Sequence, residues 1–368
     1  MVKVFHIVTS FDLGGAEKVA FNLVKSSTVD FEYHLVEVVH SDSTFSKQLI
    51  ADLKSNHIHL HCSPLKSKKL GILLFGVWFV WIYLSKKPNI IHAHTEIPDL
   101  ALWIFRKIVW LFCWIRPKYI RTIHNTQLWS SWDTIGRIVE SYYMKHHSNC
   151  AISISTKKSY EYKYKDKNIP IIYNGLEEVE QKSFPGVVKG KINILFAGRL
   201  EFQKGVDELI AVVKALKNDN RYHFHIVGSG TMREKVKREL GPMEMVTIYD
   251  KIYNLSQYLS SFDYLFMPSN FEGLALLSIE AAFAKTPAII NSCPGLKDTL
   301  PSDWPLLVNG NSVKQYLYIF KNILPDIDQN QLGMKAYIFA KEKFAVRKMQ
   351  EAYESKYRKI TYSSNLWK

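Results

Sequence analysis

The stretch KINILFAGRLEFQKGVDELIAVVKALKN, Lys191 to Asn218, reads as a strand, a loop with two cations and a helix in direct succession. Its opening INILFA is short and apolar but for Asn193, as in a strand buried on both faces, and Gly198 ends it. Its closing VDELIAVVKALKN repeats apolar residues at intervals of three and four, the period of a helix with one buried stripe. A strand followed by a crossover helix is the building unit of a parallel sheet.

The same order recurs on both sides. Downstream, YHFHIVGSG leads into TMREKVKREL, MVTIYD follows, DYLFMPS leads into LALLSIEAA, and TPAIINS comes next. Upstream, KVFHIVTS runs through FDLGG into AEKVAFNLVKSS, while NIIHAH, YIRTIHN and CAISIS each follow a helical segment. Between the two halves lies a polar stretch, EEVEQKSFPGVVKGK, from Glu177 to Lys191. A chain of 368 residues is long enough for two cores. The pattern predicts an α/β protein of two Rossmann-like, doubly wound domains, 1–178 and 190–344, facing a central cleft. Ligands of such sheets bind beyond the carboxyl ends of the strands, so the loops just after strands are the informative ones.

Composition is that of a folded chain, with 47% apolar and 22% charged residues. The four cysteines, Cys62, Cys113, Cys150 and Cys293, contain no CxxC pair and are expected to be buried thiols, outside any zinc knuckle or disulfide framework. The opening MVKVFHIVTS has no secretory pattern, which leads to the expectation of a cytoplasmic protein. The net charge of +14 calls for an anionic partner. Between Ser43 and Ser131 there are twelve basic residues and three acids, together with two apolar runs, Leu70–Leu84 and Leu100–Ile115. Seven of the nine tryptophans, from Trp78 to Trp132, fall in or beside this window. Neither run is a convincing membrane span, since the first is fifteen residues where roughly 20 are needed and the second contains Arg106 and Lys107. Trp beside Lys and Arg suits the headgroup layer, so the first domain is expected to lie on an anionic membrane surface, at the inner face of the cell membrane. Two buried core helices are the alternative reading. Nucleic acid is disfavoured as a partner because the basic residues are interleaved with long apolar helices.

PSNFEGLALLSIEAA, Pro268 to Ala282, places seven residues between Glu272 and Glu280. With a helix expected from near Leu274, an offset of eight residues rises about 12 Å, too far for one proton to be shared. Two ends of a long polar ligand fit better. Gly273 and the following backbone would form a helix N-terminus that favours phosphate. In GRLEFQKG, Arg199 and Lys204 can clamp a diphosphate, Arg through its planar fork and Lys as a point charge. Diphosphate between, with hydroxyls at each end, describes a nucleotide sugar.

GRLEFQKG, IVGSG and PSNFEGLALLSIEAA, with FDLGGAEK, IIHAHT, RTIHN, IIYNGL and FAVRKMQEAYESKYRKI, form an ordered set that resembles the retaining glycosyltransferases of family 4, which have the GT-B fold. The resemblance implies that Glu280 binds the donor ribose and Glu272 the transferred sugar, with Gly273, Leu274, Ala275 and Leu276 presenting backbone to the sugar and diphosphate. It makes Arg199 and Lys204, after Gly198, the cations facing the leaving diphosphate. Gly14 and Gly15 would admit diphosphate or acceptor, and Gly228 and Gly230 would form a donor-binding turn. His124 would stand near the reacting sugar, and Thr95, Asn125 and Trp129 are candidate acceptor contacts, although Trp129 and Trp132 could equally touch lipid or fill a core. The segment from about Ala345 to Lys368 would cross back onto the first domain. No metal or other cofactor is expected. The implied product is a hexosyl or N-acetylhexosaminyl transfer, with retention, to a lipid-linked saccharide of a bacterial surface polysaccharide. The alternatives are a non-catalytic assembly partner that binds the nucleotide sugar, or an epimerase or phosphorylase of the same fold. A dehydrogenase is disfavoured, because neither LGGAEK nor GSGTMR completes GxGxxG. Ala275 and Lys285 stand where many relatives have glycine. Asp250 and Asp298 also depart from the family pattern, which leaves base and sugar preference open.

Overall fold

A computed structural model describes residues 1–12, 14–25, 29–56, 58–109, 117–129, 132–167 and 169–362. Cys113, Trp110, Trp114 and Arg116 lie outside the described residues. The chain forms two compact units, Met1–Gly175 with Val346–Lys368, and Leu176–Ala345. The division falls between Gly175 and Leu176, and the polar stretch after it packs with the second unit. There the Phe184 ring meets Tyr249 and Phe262, and its amide donates to Ser261 Oγ at 2.9 Å.

In the first unit the order is β1 (Val2–Val8), α1 (Gly15–Lys25), β2 (Phe31–Glu37), α2 (Thr44–Ser55), β3 (His59–His61), α3 (Lys68–Lys86), β4 (Ile90–His94), α4 (Glu96–Val109), β5 (Lys118–Ile123), α5 (Asp133–Lys145), β6 (Asn149–Ala151) and α6 (Ile154–Tyr164). In the second it is β7 (Ile192–Ala197), α7 (Val206–Ala215), β8 (Tyr222–Val227), α8 (Arg233–Leu240), β9 (Val246–Tyr249), β10 (Tyr264–Met267), α9 (Leu276–Phe283), β11 (Ala288–Asn291), β12 (Leu307–Val308), α10 (Val313–Tyr318) and α11 (Gln329–Phe344). Helix α12 (Val346–Tyr362) then belongs to the first unit. Its Met349, Tyr353 and Tyr357, four residues apart, are buried in the core formed by β1, β2 and α1.

Each unit holds a six-stranded parallel sheet, in the orders β3-β2-β1-β4-β5-β6 and β12-β11-β10-β7-β8-β9. Both sheets reverse direction once, at β1/β4 and at β7/β10. A parallel sheet leaves its widest crevice at that reversal, because the loops on either side turn toward opposite faces. The loops after β7 and β10 are GRLEFQKG and SNFEGLA, which places the sequence-selected cations and carboxylate at one reversal point.

Several details differ from the sequence reading. Helix α9 begins at Leu276, two residues after the expected start, since Ala275 has ψ 87° and caps it. CAISIS is a strand only as far as Ala151, because Ser153 turns out and caps α6, its hydroxyl accepting from the Thr156 amide. Helix α3 is nineteen residues long, four more than its apolar run. By length and composition it could cross a membrane, yet Ile72, Phe75, Phe79 and Tyr83 pack into the first unit's core. Its other face is exposed and also apolar, with Leu73, Val77 and Trp81 at 59%, 61% and 76%. The helix is therefore both a core element and an apolar surface. Cys62 is exposed, against the expectation of burial, because it lies at the end of the edge strand β3. Cys150 and Cys293 are buried.

Candidate active site

The second unit builds its site from two glycine-dependent turns. Gly205 lies between a short 3-10 turn, Phe202–Lys204, and α7, with φ 69°. A Cβ there would fall 1.7 Å from the carbonyl oxygen of Pro268, so only glycine lets the two loops touch. Gly228 has φ 151°, and a Cβ on it would fall 1.9 Å from the Gly198 carbonyl oxygen. These approaches seat the β7 loop between its neighbours. Asn270 N donates to Gln203 O at 2.8 Å, and Gln203 Nε2 donates to Phe271 O at 3.2 Å. On the other side Leu200 N donates to Ser229 O at 2.8 Å, and Thr231 N to Glu201 Oε1 at 2.8 Å.

That seating delivers the chemistry. Lys204 Nζ lies 2.6 Å from Glu272 Oε1, which also accepts from Ser269 Oγ at 2.9 Å. The Glu272 carboxylate is 6% exposed and the Lys204 side chain 18%. Lysine has three N–H donors, of which Glu272 takes one. Arg199 is exposed beside them, its Nη2 donating to Gln203 Oε1 at 2.9 Å. Gln203, a residue the sequence reading did not select, thus ties Arg199 to the backbone of the β10 loop that carries Glu272. Glu280 is half-buried in α9.

One backbone group departs from expectation. Ala275 N donates to Gly295 O at 3.1 Å, so this amide is already bonded to the loop after β11, as Glu272 N is to Pro294 O at 3.1 Å, and is not a phosphate donor as it stands. Cys293 of that loop is a thiol at neutral pH, pushed up to about 12 by burial and by the Glu272 charge, and offers no nucleophile. Asp250 forms an ion pair with Arg233, whose guanidinium also reaches Gly228 O at 3.5 Å. Gly230 lies against Glu201 and the Leu200 carbonyl.

In the first unit the loops after β1 and β4 meet through Thr9 Oγ1 and Thr95 Oγ1 at 3.0 Å. Thr95 has φ 79°, a strained conformation for a β-branched residue, and strain of this kind collects at functional loops. Asn125 is exposed and donates to Glu96 Oε1 at 3.4 Å. His124 is buried, with Nε2 3.4 Å from His94 Nδ1, and His94 Nε2 lies 3.0 Å from His6 Nδ1. Burial pushes His6 and His124 down to about 3, so these imidazoles are neutral. Around Gly14 and Gly15 the chain is acidic, since the Glu17 carboxylate folds back to within 1.9 Å of where a Gly14 Cβ would be. Burial, above all, raises the pKa of Glu17. A diphosphate approaching this loop would have to displace that group.

Trp129 is not an acceptor platform as placed. It is 4% exposed, and its Nε1 donates to Glu140 Oε1 at 2.6 Å. Glu140 is held by fully buried Arg121 at 2.5 and 2.6 Å, and Arg121 Nε lies 2.6 Å from Asp99 Oδ2. A buried carboxylate needs donors, and the indole N–H supplies Glu140 with one beyond Arg121.

Comparison with known proteins agrees with this architecture. Residues 13–179 match the family model for Glycosyltransferase Family 4, and residues 178–326 the model for Glycosyl transferases group 1. The capsular polysaccharide biosynthesis glycosyltransferase CapH of Staphylococcus aureus is 25% identical over 76% of this chain and 79% of its own length. The O-antigen biosynthesis glycosyltransferase WclY of Escherichia coli is 21% identical over 98% and 99%. Among solved structures, Anabaena HepE in complex with UDP-glucose superposes with a TM-score of 0.78 at 16% identity, over 97% of this chain and 99% of that one. S. aureus TarM, solved with UDP, gives 0.69 at 13% identity, over 97% and 100%. At these identities the structures establish the fold alone.

Proposed function

Because the chain belongs to the GT-B glycosyltransferases of the family 4 type, we propose that it transfers a hexosyl or N-acetylhexosaminyl group from a nucleotide sugar, with retention, to a lipid-linked saccharide of a bacterial surface polysaccharide. The observation behind this reading is the Lys204–Glu272 pair beside Arg199 at the β7/β10 reversal. A nucleoside diphosphate needs fixed cations at its phosphates and acceptors at its hydroxyls, and this set holds both on rigid loops.

In the reaction, the bond from the anomeric carbon to the diphosphate oxygen breaks while an acceptor hydroxyl adds on the same face and passes its proton to the departing diphosphate. Negative charge gathers on the departing diphosphate. Lys204 and Arg199 stabilise it from fixed positions, an electrostatic contribution that costs no reorganisation. They supply the charge that a divalent ion supplies in other enzymes, so transfer is expected without added metal. Glu272 accepts from hydroxyls of the transferred sugar and Glu280 from the ribose. Neutral His124 serves as a hydrogen-bonding partner of the sugar, and Thr95 and Asn125 as acceptor contacts.

A lipid-linked acceptor accords with the exposed apolar face of α3. Beside it, Ile72, Leu73, Leu100, Trp103, Trp132 and Ile135 line an apolar cavity of about 380 Å³, with Lys69 at the same place. Cations beside exposed apolar groups suit an anionic bilayer, at the cytoplasmic face of the cell membrane. Capsule and O-antigen synthesis among the relatives supports the polysaccharide assignment. Purified protein should be screened with UDP, GDP, ADP and CDP sugars for thermal stabilisation and for sugar transfer in membranes, UDP sugars first because HepE and TarM were solved with UDP. Binding without turnover would identify a non-catalytic partner. No binding to any nucleotide sugar would reject the reading.

A further inference from the structure

Away from the loops at the sheet reversals, a second cluster of chemically competent side chains sits at the opposite edge of the first sheet. Strands β2 and β3 pair in parallel with His34 opposite His59 and Val36 opposite His61. Alternation along a strand puts Glu32 and His34 on one face, and the register puts His59 and His61 on the same face. The side chains converge there. His34 Nε2 lies 2.8 Å from Glu32 Oε1, and His59 Nε2 lies 4.0 Å from the same oxygen. One ligand atom from each of the three lies within 4.8 Å of the others.

We propose that Glu32, His34 and His59 bind a borderline divalent transition-metal ion, zinc by preference, at the β2–β3 edge. Two imidazoles and one carboxylate form a zinc donor set that leaves a fourth position for water. Ligand bonds of 2.0–2.2 Å in a tetrahedral site place donor atoms roughly 3.3 Å apart. The observed 2.8 and 4.0 Å bracket that value, so a turn of the exposed His59 ring completes the geometry. The ion would take the place of the proton now shared by His34 Nε2 and Glu32 Oε1.

Two further features favour the site. His34 Nδ1 lies 2.9 Å from His61 Nε2, so once the metal sits on Nε2 the imidazole proton moves to Nδ1 and has an acceptor there, the outer hydrogen bond that orients a ligating imidazole. Lys3 pairs with the other carboxylate oxygen, Oε2, at 3.8 Å, leaving Oε1 facing the histidines.

The other histidine cluster, His6, His92 and His94, is a weaker candidate. It brings no carboxylate to a fully buried place, and both nitrogens of His92 are engaged at 2.7 Å by Tyr357 and Thr122 hydroxyls. A doubly charged ion there would lack the compensation that burial demands.

Tag-free, full-length protein should be dialysed to equilibrium against zinc chloride and its metal content measured by atomic absorption, with visible absorption of the cobalt form as a second readout. Wild type is expected to hold one zinc per chain. His59→Ala and Glu32→Gln should each weaken binding at least about tenfold and remove the tetrahedral cobalt bands. His59 is 58% exposed, so its replacement leaves the fold intact, and an unchanged melting curve confirms this. Equal binding by wild type and His59→Ala would overturn the assignment. So would zinc binding that is lost in His6→Asn and retained in His59→Ala, which would move the ion to the buried cluster.

Discussion

Replacing Lys204 with methionine tests whether the carboxylate at the β7/β10 reversal is held for chemistry or for stability. At 2.6 Å and an effective dielectric constant of 20, the gross attraction to Glu272 is about 6 kcal/mol. Most of it is offset by desolvation, and the Lys204 side chain retains 18% exposure. Lys204→Met would leave Glu272 buried with Ser269 as its remaining side-chain donor among the bonds described above. Breaking a buried pair from one side costs about 3–5 kcal/mol, and partial exposure places this case near 3. For a unit of this size that lowers the melting temperature by roughly 6–12 °C. Glu272→Gln should cost only about 1 kcal/mol, since the lysine can turn toward water. The double variant Lys204→Met with Glu272→Gln should therefore recover about 2 kcal/mol relative to Lys204→Met alone. Activity should behave oppositely, falling about 10²-fold or more in each single variant and failing to recover in the double. Urea unfolding measures the first quantity and transfer to a membrane acceptor the second. A double variant that regains turnover along with stability would show the pair to be structural, and the catalytic reading would fail.

The remaining expectations are shorter. His6 and His124 are held near 3 against 6.5 when unfolded, so the unfolded chain binds protons that the native chain refuses, and stability falls as pH drops below about 6.5. At about pH 5 each loses about 2 kcal/mol. His92 and His94 act in the same sense, whereas Asp99, raised to about 8 by burial, acts in the opposite one. Across the described residues eight histidines are held down against four acids held up, Glu17, Glu37, Asp99 and Glu208, which leaves the protein acid-labile; urea midpoints at neutral and acidic pH should show it, and a His6→Asn variant with the wild-type pH slope would contradict the assignment. Gly205→Ala should destabilise by about 2 kcal/mol or more and reduce transfer, because the left-handed backbone and the Pro268 carbonyl both oppose a methyl group. Leu73→Glu with Trp81→Glu should abolish sedimentation with anionic vesicles at low salt while leaving the melting temperature nearly unchanged. Undiminished vesicle binding would remove α3 as a membrane surface.

The fold was legible because a fully parallel sheet writes its strands as short, largely apolar runs, and ILFA of β7 and YLFM of β10 show this without alternation. Crossover helices are equally plain when one stripe is apolar, as in VDELIAVVKALKN. Boundaries were less legible where a local hydrogen bond competes with the ladder. Ser153 ends β6 by capping α6, and Ala275 delays α9 by bonding across to Gly295, and neither event leaves a mark on hydrophobic period. Helix α3 left two readings open in sequence, a membrane surface or a core helix, because an all-round apolar helix fits both. One stripe is covered and the other exposed, and composition cannot tell which face a sheet will take.

The site shows the same division between what composition exposes and what only packing decides. Charges beside glycines after strands are visible in sequence because a soluble chain seldom sets Arg, Lys and Glu beside apolar strand ends without a ligand for them. Gln203, which ties Arg199 to the β10 loop, is an ordinary polar residue and gave no signal. Trp129 shows the converse. In the sequence it could equally meet an acceptor sugar, touch lipid or fill a core, and the structure puts it in the core, where Arg121 is buried with Asp99 and Glu140 and the Glu140 carboxylate needs donors. The indole N–H and the Tyr160 hydroxyl both bind Glu140. The demand originates in a buried ion pair nineteen residues apart in sequence, between β5 and α5, and could be recognised only once the two elements were brought together. A Trp129→Phe variant, which keeps the ring and removes the donor, should therefore lower stability by about 1–3 kcal/mol and leave acceptor KM unchanged.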